Sequence, residues 1–451
     1  MDLSGKKVIV VGSGISGIGA VKLLSEAGAV PVLYDGNDKL VKEEIQAKLP
    51  EGVQAEIVLG ELKSGLVKSA DLAVISPGVP IDSPVVAAFN NAGVPVWGEI
   101  ELAYNYGKGV VAAITGTNGK TTTTTLVGEI IKAWGKETFV VGNIGNSYTA
   151  EVLKTNKDSV TVAEISSFQL ETVHEFRPKV SAILNITPDH LNRHYTMENY
   201  AAVKERIAAK QTKDDFIVLN YDDEVLRAFG EQTSATPVYF SRKHKVEHGT
   251  YLEGTMIKYT DGEKETDVID VKDMLLFGAH NHENVMAAAA ICIQMGVPVQ
   301  IIADTIRNFK AVEHRIEYVR TLDGVEYYND SKGTNPDSTI KAIEAMPRKT
   351  ILIAGGYDKH SEFDEMIKVF GDTIIELVLL GVTKDKIAAA ARAQGFGNIK
   401  FVATLKEAVE VSRADAKEGQ IVLLSPACAS WDMFKSYEER GKLFKQYVNE
   451  L

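Results

Sequence analysis

A glycine-rich segment with one lysine and several threonines carries the clearest chemical information in the sequence. It reads Ile114-Thr115-Gly116-Thr117-Asn118-Gly119-Lys120-Thr121-Thr122 and lies between a strand-like apolar run and a Thr-rich helical pattern. At such a junction backbone N–H groups surround phosphate, the lysine reaches the β- and γ-phosphates of ATP, and the first threonine hydroxyl binds Mg²⁺. The segment is a shortened variant, because Ile114 stands where the common G-x-x-x-x-G-K-[ST] pattern has its first glycine. We predict that residues 116–122 bind ATP.

A second glycine-rich loop lies near the N-terminus. Gly12-Ser13-Gly14-Ile15-Ser16-Gly17 fits the pattern G-x-G-x-x-G between a strand and a helix, and Asp35 ends the next predicted strand. Such glycines let the backbone approach a pyrophosphate, and the helix N-terminus offers unpaired N–H groups. Alone, the loop is typical of nicotinamide or flavin dinucleotide binding, and a tight turn without ligand is the packing alternative. A UDP-sugar presents the same pyrophosphate, so the loop leaves the nucleotide open.

Short apolar runs alternate with helical periods around these loops, which predicts parallel sheets covered by helices. Residues 250–270 alternate as an antiparallel hairpin would. The predicted strands are Val8–Val11, Val30–Tyr34, Leu72–Ile75, Val94–Val96, Val110–Ile114, Thr161–Ala163, Val180–Asn185, Phe216–Asn220, Thr350–Ile353, Ile374–Leu380 and Ile421–Leu424. The predicted helices include Ile18–Ala27, Lys39–Lys48, Val85–Asn91, Asn199–Ala209 and Asn284–Met295.

These elements predict an α/β fold of three domains. Residues 1–98 would form a Rossmann-like N-terminal domain that contains the nucleotide-binding pattern of residues 12–17. Residues 99–312 would form a central P-loop ATPase-like domain with the β-hairpin insert, and residues 313–451 a Rossmann-like C-terminal domain. A length of 451 residues agrees with three domains at about 150 residues each.

Composition excludes several classes of function. The chain has 49 Lys and Arg against 61 Asp and Glu, a net charge of −12, which argues against a nucleic-acid partner. No run approaches the ~18 apolar residues that span a bilayer, and Val8–Val11 is too short for a signal segment. The two cysteines, Cys292 and Cys428, are predicted to pack in the interior and suggest a reducing compartment. We expect a cytoplasmic protein that binds no membrane.

Several polar segments follow the ATP loop at characteristic spacing. They are Glu164-Ile165-Ser166-Ser167-Phe168-Gln169, Asn185-Ile186-Thr187-Pro188-Asp189-His190-Leu191, His280-Asn281-His282-Glu283-Asn284, His314-Arg315 and Asn329-Asp330-Ser331-Lys332-Gly333-Thr334-Asn335-Pro336. Together they resemble the Mur ligases, ATP-dependent amide-forming enzymes of bacterial cell-wall synthesis, over essentially the whole chain. Folylpolyglutamate synthetases share these segments.

Two further segments resemble one branch of that family, the ligases that add D-glutamate to UDP-N-acetylmuramoyl-L-alanine. They are Gly355-Gly356-Tyr357-Asp358-Lys359 and Ser425-Pro426-Ala427-Cys428-Ala429-Ser430-Trp431-Asp432. The Asp-Asn-Pro-Arg box of ligases that add a diamino acid does not occur. The resemblance implies that ATP phosphorylates the substrate carboxylate to an acyl phosphate, which the amine of D-glutamate attacks, with ADP and phosphate as products.

The resemblance also implies a catalytic and metal-binding group. Glu164 ends a predicted buried strand, where an unpaired carboxylate is costly unless a cation meets it, and with Thr121 it would hold one Mg²⁺. His190 would bind a second Mg²⁺. Lys204 is a solvated helix lysine from its pattern alone, whereas the resemblance implies a carbamylated lysine that serves the second ion. Lys120 completes the catalytic group at the ATP phosphates.

The remaining site residues are assigned by the resemblance, by substrate. For ATP they are Asn281, Asn284, Arg315 and Asp330, in addition to the loop. For the UDP-substrate they are Ser13, Gly14, Ile15, Ser16, Gly17, Asp35, Ser76, Pro77, Gly78 and Asn143. For D-glutamate they are Lys332, Thr334, Lys359 and Ser430, with Phe434 or Tyr437 as a wall. The last set lies at predicted strand ends, where open α/β sheets bind ligands.

Other functions remain open from the sequence. A different Mur-type or folate-type ligase would keep the same ATP chemistry. A NAD(P)-dependent oxidoreductase would use the first glycine loop and leave the second without purpose. A non-catalytic nucleotide-binding regulator would not explain why Glu164, His190 and Asp330 accompany the ATP loop. We further expect a monomer whose third domain closes over ATP about a hinge near residue 312.

Overall fold

A computed structural model describes residues 2–53, 55–144, 146–276, 278–310 and 312–451 of the chain. Three β-sheets joined by helices make up this part of the chain, which confirms the α/β class. By packing, the chain divides into two compact units, 1–273 with 284–307 and 274–283 with 308–451. The first two sheets belong to the first unit and the third sheet to the second unit. The domain boundaries near residues 98 and 312 stay predictions.

The first sheet has five parallel strands in the order β3-β2-β1-β4-β5, as in a Rossmann fold. Its strands are β1 (Lys7–Val11), β2 (Val30–Asp35), β3 (Glu56–Leu59), β4 (Leu72–Ile75) and β5 (Val96–Gly98). Its helices are α1 (Ile15–Glu26), α2 (Lys42–Gln46), α3 (Ser64–Lys68), α4 (Pro84–Asn91) and α5 (Glu99–Tyr106). The strand predicted at 94–96 was wrong by two residues, because the pairing with β4 involves residues 96–98. The helix predicted over 39–48 is confined to α2.

The second sheet has nine strands in the order β14-β13-β12-β11-β10-β9-β6-β8-β7. Its strands are β6 (Val110–Thr115), β7 (Thr138–Gly142), β8 (Val160–Glu164), β9 (Val180–Ile183), β10 (Phe216–Asn220), β11 (Thr236–Ser241), β12 (Gly249–Glu253), β13 (Met256–Thr260) and β14 (Glu265–Asp270). Strands β6 to β11 are parallel. The predicted hairpin is therefore an antiparallel extension, β12-β13-β14, that continues the same sheet beyond β11.

Helices connect these strands. They are α6 (Lys120–Ala133), α7 (Tyr148–Glu151), α8 (Ser167–Leu170), α9 (Leu191–His194), α10 (Met197–Glu205), α11 (Glu224–Gly230), α12 (Ala279–Gln294) and α13 (Val299–Asn308). Short 3₁₀ helices occupy 152–154, 206–208 and 271–273. Helix α12 begins five residues before its predicted start at Asn284, so that Asn281 lies within its first turn. The helix predicted over 199–209 is α10 followed by a 3₁₀ turn.

The third sheet has six strands in the order β15-β16-β20-β17-β18-β19, with only β15 antiparallel to its neighbour. Its strands are β15 (Glu317–Leu322), β16 (Val325–Asn329), β17 (Thr350–Ala354), β18 (Ile374–Leu379), β19 (Ile399–Phe401) and β20 (Ile421–Leu424). Its helices are α14 (Pro336–Ala345), α15 (Asp364–Lys368), α16 (Lys384–Ala393), α17 (Leu405–Asp415) and α18 (Tyr437–Glu450).

The first two sheets share a hydrophobic core, and a buried carboxylate connects their regions. Ile100 and Leu102 of α5 belong to the same buried cluster as Val173 and Phe176 of the central region. Glu101, between them, is fully buried. Its carboxylate accepts hydrogen bonds from the backbone N–H groups of residues 174, 175 and 176, at 2.8, 2.9 and 3.2 Å. These bonds satisfy a charge that burial would otherwise make costly.

Within the described part of the chain, no helix has both the length and the apolar character needed to cross a membrane.

Candidate active site

The carboxyl ends of the central parallel strands bring the ATP loop beside Glu164. Strand β6 lies between β8 and β9, with Ile114 opposite Glu164 and Thr115 opposite Ile183. Loop residues 116–119 follow β6 directly, and α6 begins at Lys120. Parallel strands end at one edge of a sheet, where ligands bind in open α/β folds. The structure therefore brings together two predicted sites that lie far apart in the sequence.

The ATP loop is fixed from two sides. Gly119 has φ +84°, and a Cβ atom there would lie 2.2 Å from Oδ1 of the buried Asn284, so only glycine fits. On the other side, the Asn118 backbone N–H donates to Asn185 Oδ1 at 2.8 Å, and Asn185 Nδ2 donates to the Asn118 carbonyl at 3.1 Å. These contacts fix the loop from both sides, and the contact of Asn284 with ATP stays a prediction.

Two lysines converge on one carbonyl oxygen of the loop. Lys120 Nζ donates to the carbonyls of Gly116 and Thr117 at 2.8 and 2.7 Å. Lys204 Nζ donates to the same Gly116 carbonyl at 2.9 Å. Lys204 is 1% exposed, so its interpretation as a solvated lysine was wrong. The pattern of α10 was misread because Tyr200 and Lys204, four residues apart, share the buried face of the helix.

Burial makes the Lys204 amine an unusual group. Its Nζ lies 4.6 Å from the centre of the Tyr200 ring, and the Tyr200 hydroxyl contacts Thr117 Oγ1 at 3.2 Å. Burial lowers the pKa of Lys204 far below its usual range, and the nearby Lys120 charge lowers it further against an opposing effect of Asp189. Burial therefore makes this amine a weaker base than an exposed lysine.

Glu164 presents one satisfied and one unsatisfied oxygen. The side chain is 1% exposed, and its Oε1 accepts from Asn143 Nδ2 at 2.8 Å. Its Oε2 is buried without a hydrogen-bond partner among the described residues. A buried carboxylate oxygen in that state is costly unless a cation meets it. With the buried Thr121 in the first turn of α6, the donor set fits Mg²⁺, which prefers oxygen ligands. The side-chain amide of Asn143, predicted to bind the UDP-substrate, contacts Glu164, and its contact with the substrate stays a prediction.

His190 lies at one end of a row of aromatic rings that begins beside Lys204. The ring centres of His190 and Phe168 are 4.8 Å apart, those of Phe168 and His194 5.5 Å, and those of His194 and Tyr200 5.2 Å. His190 has φ +54°, a conformation uncommon outside glycine. Its backbone N–H donates to Asp189 Oδ1 at 2.9 Å. The row joins the two residues predicted for the second ion through packed side chains.

The first glycine loop forms a tight turn between β1 and α1. A Cβ atom at Gly17 would lie 1.8 Å from the Gly12 carbonyl oxygen, so helix α1 packs directly on the loop. The Ser13 backbone N–H and hydroxyl both donate to Asp35 Oδ2, at 3.0 and 2.6 Å. Asp35 therefore orders the loop, and its contact with a nucleotide stays a prediction. Ile15, in the first turn of α1, is 85% exposed.

The segment Ser76-Pro77-Gly78 lies next to this loop because β4 pairs with β1. Ser76 Oγ is buried without a hydrogen-bond partner among the described residues. Arg193 of the central region holds the segment, donating to the Pro77 and Val79 carbonyls at 3.1 Å each. The same guanidinium forms an ion pair with Glu171. Residues predicted for the UDP-substrate are thus tied to the helix that follows His190.

In the C-terminal unit, the residues predicted for ATP lie near the end of β16. Asp330 is buried, and its carboxylate accepts from Ser425 Oγ at 2.7 Å and the Ile316 backbone N–H at 3.3 Å. Burial raises the pKa of Asp330 to about 7. Arg315 Nε is buried without a hydrogen-bond partner among the described residues. Asn281 lies in the first turn of α12.

The residues predicted for D-glutamate form two groups in this unit. Lys332 Nζ lies 5.2 Å from the centre of the Tyr437 ring, and Lys359 Nζ lies 6.0 Å from the centre of the Trp431 ring. Tyr437 therefore lies beside Lys332, which is predicted to bind D-glutamate. Phe434 packs against the buried cluster of α17 and α18, which favours Tyr437 as the wall.

Two further residues predicted for D-glutamate lie in these same segments. Thr334 follows Lys332, and its backbone N–H donates to the Lys332 carbonyl at 2.9 Å. Ser430 is buried beside Trp431, and its carbonyl accepts from the backbone N–H groups of Met433 and Phe434 at 3.1 and 2.9 Å.

Sequence reasoning missed several residues that the structure places at these sites. Arg193, Arg440 and His194 belong to no recognised pattern, because their partners lie far away in the sequence. His194 Nε2 contacts Ser167 Oγ at 2.9 Å. Burial lowers the pKa of His194 to about 4, and the Arg193 and Lys204 charges act in the same direction. Trp431, at 64% exposure, could have been found as a tryptophan inside a polar segment.

Comparison with known proteins agrees with this geometry. Family models described as "Mur ligase MurD-like, N-terminal domain", "Mur ligase middle domain" and "Mur ligase, glutamate ligase domain" match residues 6–98, 114–292 and 314–428. A protein of Lachnospira eligens named UDP-N-acetylmuramoylalanine--D-glutamate ligase is 60% identical over 451 residues, covering 100% of both chains. A protein of the same name from Lachnoclostridium phytofermentans is 56% identical, covering 100% of this chain and 99% of its own.

Solved structures share the fold at lower identity. UDP-N-acetylmuramate-alanine ligase MurC from Thermotoga maritima has a TM-score of 0.62 at 19% identity, covering 99% of both chains. MurF from Acinetobacter baumannii has a TM-score of 0.63 at 16% identity, covering 98% of this chain and 93% of its own. The three domain matches and the full-length relatives establish the conclusion that the chain belongs to the Mur ligase family.

Proposed function

We propose that the protein is an ATP-dependent ligase that joins D-glutamate to UDP-N-acetylmuramoyl-L-alanine in peptidoglycan precursor synthesis. The observation that supports ATP chemistry most directly is the convergence of Lys120 and Lys204 on the Gly116 carbonyl of the glycine loop. Glu164, which has one buried oxygen without a described hydrogen-bond partner, ends the strand beside this loop. The choice of substrates is supported by the full-length relatives that carry this activity in their name.

The proposed reaction has two steps. A carboxylate oxygen of the UDP-substrate attacks the γ-phosphorus of ATP, giving an acyl phosphate and ADP. The amine of D-glutamate then attacks the acyl carbon, the C–N bond forms, the C–O bond to phosphate breaks, and a proton leaves the amine. Both steps gather anionic groups, so catalysis requires alignment and charge neutralisation more than covalent help from the protein. Lys120 and the backbone N–H groups of residues 116–122 would align the phosphates and neutralise their charge.

Two Mg²⁺ ions are part of the proposal. Thr121 and Glu164 would hold the first, and His190 with a carbamylated Lys204 would hold the second. When bound, Mg²⁺ neutralises charge on the phosphates and orients them. The buried Lys204 supports this assignment, because CO₂ reacts with a neutral amine and this amine has a strongly lowered pKa. The carbamate would place oxygen ligands at this buried position.

The other proposed contacts follow the sheet edges. The loop 13–17, Asp35, residues 76–78 and Asn143 would bind the UDP-substrate. Arg315 and Asp330 would bind ATP from the C-terminal unit, and Asn281 and Asn284 would lie near its adenine. Lys332, Thr334, Lys359 and Ser430 would bind the two carboxylates of D-glutamate, with Tyr437 as the wall. We propose the cytoplasm as the location, since ATP and UDP-sugars are made there, and a monomer as the active form.

Isotope transfer tests the proposed chemistry. UDP-N-acetylmuramoyl-L-alanine labelled with ¹⁸O in its free carboxylate is incubated with the protein, ATP, Mg²⁺ and D-glutamate. We expect one labelled oxygen in each phosphate released, and a product heavier by one glutamyl residue. Formation of AMP, or phosphate without label, would overturn the acyl-phosphate proposal.

A further inference from the structure

Arg440 is a buried cation without a carboxylate partner. It lies in the first turn of α18 and is 2% exposed. Its guanidinium donates to Ser331 Oγ at 3.0 Å, the Ser331 carbonyl at 2.7 Å and the Cys428 carbonyl at 3.2 Å. Within the described residues it forms no ion pair. Burying an arginine costs free energy unless nearby groups accept its hydrogen bonds or interact favourably with its charge.

The partners of Arg440 lie in the segments predicted to bind D-glutamate. Ser331 precedes Lys332 and Thr334, and Cys428 lies two residues before Ser430. Ser331 Oγ also donates to the carbonyl of Tyr437 at 2.8 Å. One guanidinium thus connects three segments, 331–334, 428–430 and the start of α18.

Asp330, which is predicted to bind ATP, makes its hydrogen bonds without Arg440. The Asp330 backbone N–H donates to the Leu424 carbonyl at 2.7 Å, and its carboxylate accepts from Ser425 and Ile316. None of these bonds involves Arg440. Loss of the guanidinium should therefore loosen the amino-acid segments more than the nucleotide contact.

We propose that Arg440 is the positioning residue for the amino-acid substrate, fixing the three segments that receive it and adding its positive charge behind them. The inference rests on the proposed function, because it takes those segments as the site of D-glutamate. A dicarboxylate is the ligand class that such a charge favours, since charges interact strongly across a weakly polar interior. Arginine suits the role because its planar fork holds several acceptors at once.

Substitutions of Arg440 test the proposal when KM is measured separately for D-glutamate and for ATP. Arg440→Lys keeps the charge and loses most of the fork, so we expect KM for D-glutamate to rise about tenfold. Arg440→Met loses both the charge and the fork of donors, and it should raise KM for D-glutamate about 100-fold. KM for ATP should stay within about twofold in both variants. Ser331→Ala, which breaks the link to Tyr437, should raise KM for D-glutamate by a smaller factor.

Arg320→Met is the matched control. Arg320 also donates to backbone carbonyls of α18, those of Val448 and Asn449 at 3.2 and 3.3 Å, but at the far end of the helix. The Arg320→Met variant should leave KM for D-glutamate unchanged, even if its thermal stability falls as much as that of the Arg440 variants.

Three results would be decisive. Equal increases in KM for ATP and D-glutamate, or an increase in Arg320→Met equal to that in Arg440→Lys, would overturn the positioning role. If Arg440→Met does not fold, Arg440→Lys and Ser331→Ala still give the comparison. A wild-type protein that does not use D-glutamate would overturn the proposed function itself, which separates the two failures.

Discussion

Lys120 and Lys204 donate hydrogen bonds to the same backbone carbonyl, that of Gly116, at 2.8 and 2.9 Å. Two ammonium groups this close repel one another. Burial, and after it the charge of Lys120, lowers the pKa of Lys204. This relationship connects helix α10 to the ATP loop.

Lys204 should be essential as an amine and not merely as a cation. An arginine at this position cannot form a carbamate because its guanidinium stays protonated, so Lys204→Arg should lower kcat about 100-fold or more. Lys204→Ala should lose as much activity and regain part of it with millimolar formate or acetate, which can replace the carbamate oxygens. Initial rates with and without the added acid provide the measurement. The exposed Lys210→Ala is the control, and an active Lys204→Arg variant would contradict the carbamate.

Glu164 should act through its charge. Glu164→Gln keeps an oxygen that can accept from Asn143 but removes the negative charge at the unpartnered Oε2. We expect kcat to fall about 100-fold and the Mg²⁺ concentration for half-maximal rate to rise. The thermal unfolding midpoint should not fall, since the substitution removes an unpaired buried charge. Glu129→Gln, on the exposed face of α6, is the control. Unchanged Mg²⁺ dependence would remove Glu164 from the ion site.

The sequence was sufficient to predict the fold class and the association of motifs at strand ends. Gly116, Glu164 and Asn185 lie at or just after the carboxyl ends of parallel strands. Parallel strands bring these ends to one edge of the sheet, so the proximity of the three residues follows from their order in the chain. The burial of Lys204 could not be predicted in this way, because a nine-residue helix with a weak apolar face does not reveal which side packs inward.

Arg193 and Arg440 were beyond sequence reasoning for a different reason. Each donates to backbone carbonyls of segments far away in the chain, and a backbone acceptor leaves no mark on residue type. The strand at 96–98 was misplaced because Pro95 interrupts the apolar run, although its carbonyl still accepts from Ala73 at 2.9 Å. Local pattern therefore defined the elements, whereas the contacts between them needed the structure.

Asp330 should make stability depend on pH. Its pKa is raised to about 7 by burial, so the folded protein holds this proton more tightly than the unfolded chain. The contribution of the carboxyl to stability is full below about pH 4 and is lost as pH rises through about 7. Asp330→Asn does not titrate, so relative to wild type it should gain about 3 kcal/mol between pH 5 and pH 8.

Denaturant unfolding of both proteins without ligands, at these two pH values, provides the measurement for Asp330. Asp385→Asn, whose residue is exposed in the first turn of α16, should show no such difference. A pH-independent offset for Asp330→Asn would show that the native carboxyl is charged throughout.

Glu101 should stabilise the first unit. Glu101→Gln leaves fewer acceptors for three backbone N–H groups and removes the charge that strengthens those bonds, which should cost about 2 kcal/mol. The free energy of unfolding from a urea titration measures the loss. Glu175→Gln changes an exposed carboxylate paired with Lys210 in the same region and should cost little. Equal effects of the two substitutions would contradict the role of the buried carboxylate.

The most direct test of the proposed activity is phosphate release from ATP in the presence of Mg²⁺, UDP-N-acetylmuramoyl-L-alanine and one amino acid at a time. Turnover should require D-glutamate and be absent with L-glutamate, L-lysine or diaminopimelate. Turnover with one of the others would keep the ligase mechanism and contradict the assignment of Lys332, Lys359 and Ser430 to D-glutamate. Absence of turnover with all four, from folded protein that binds NAD, would contradict the ligase activity itself.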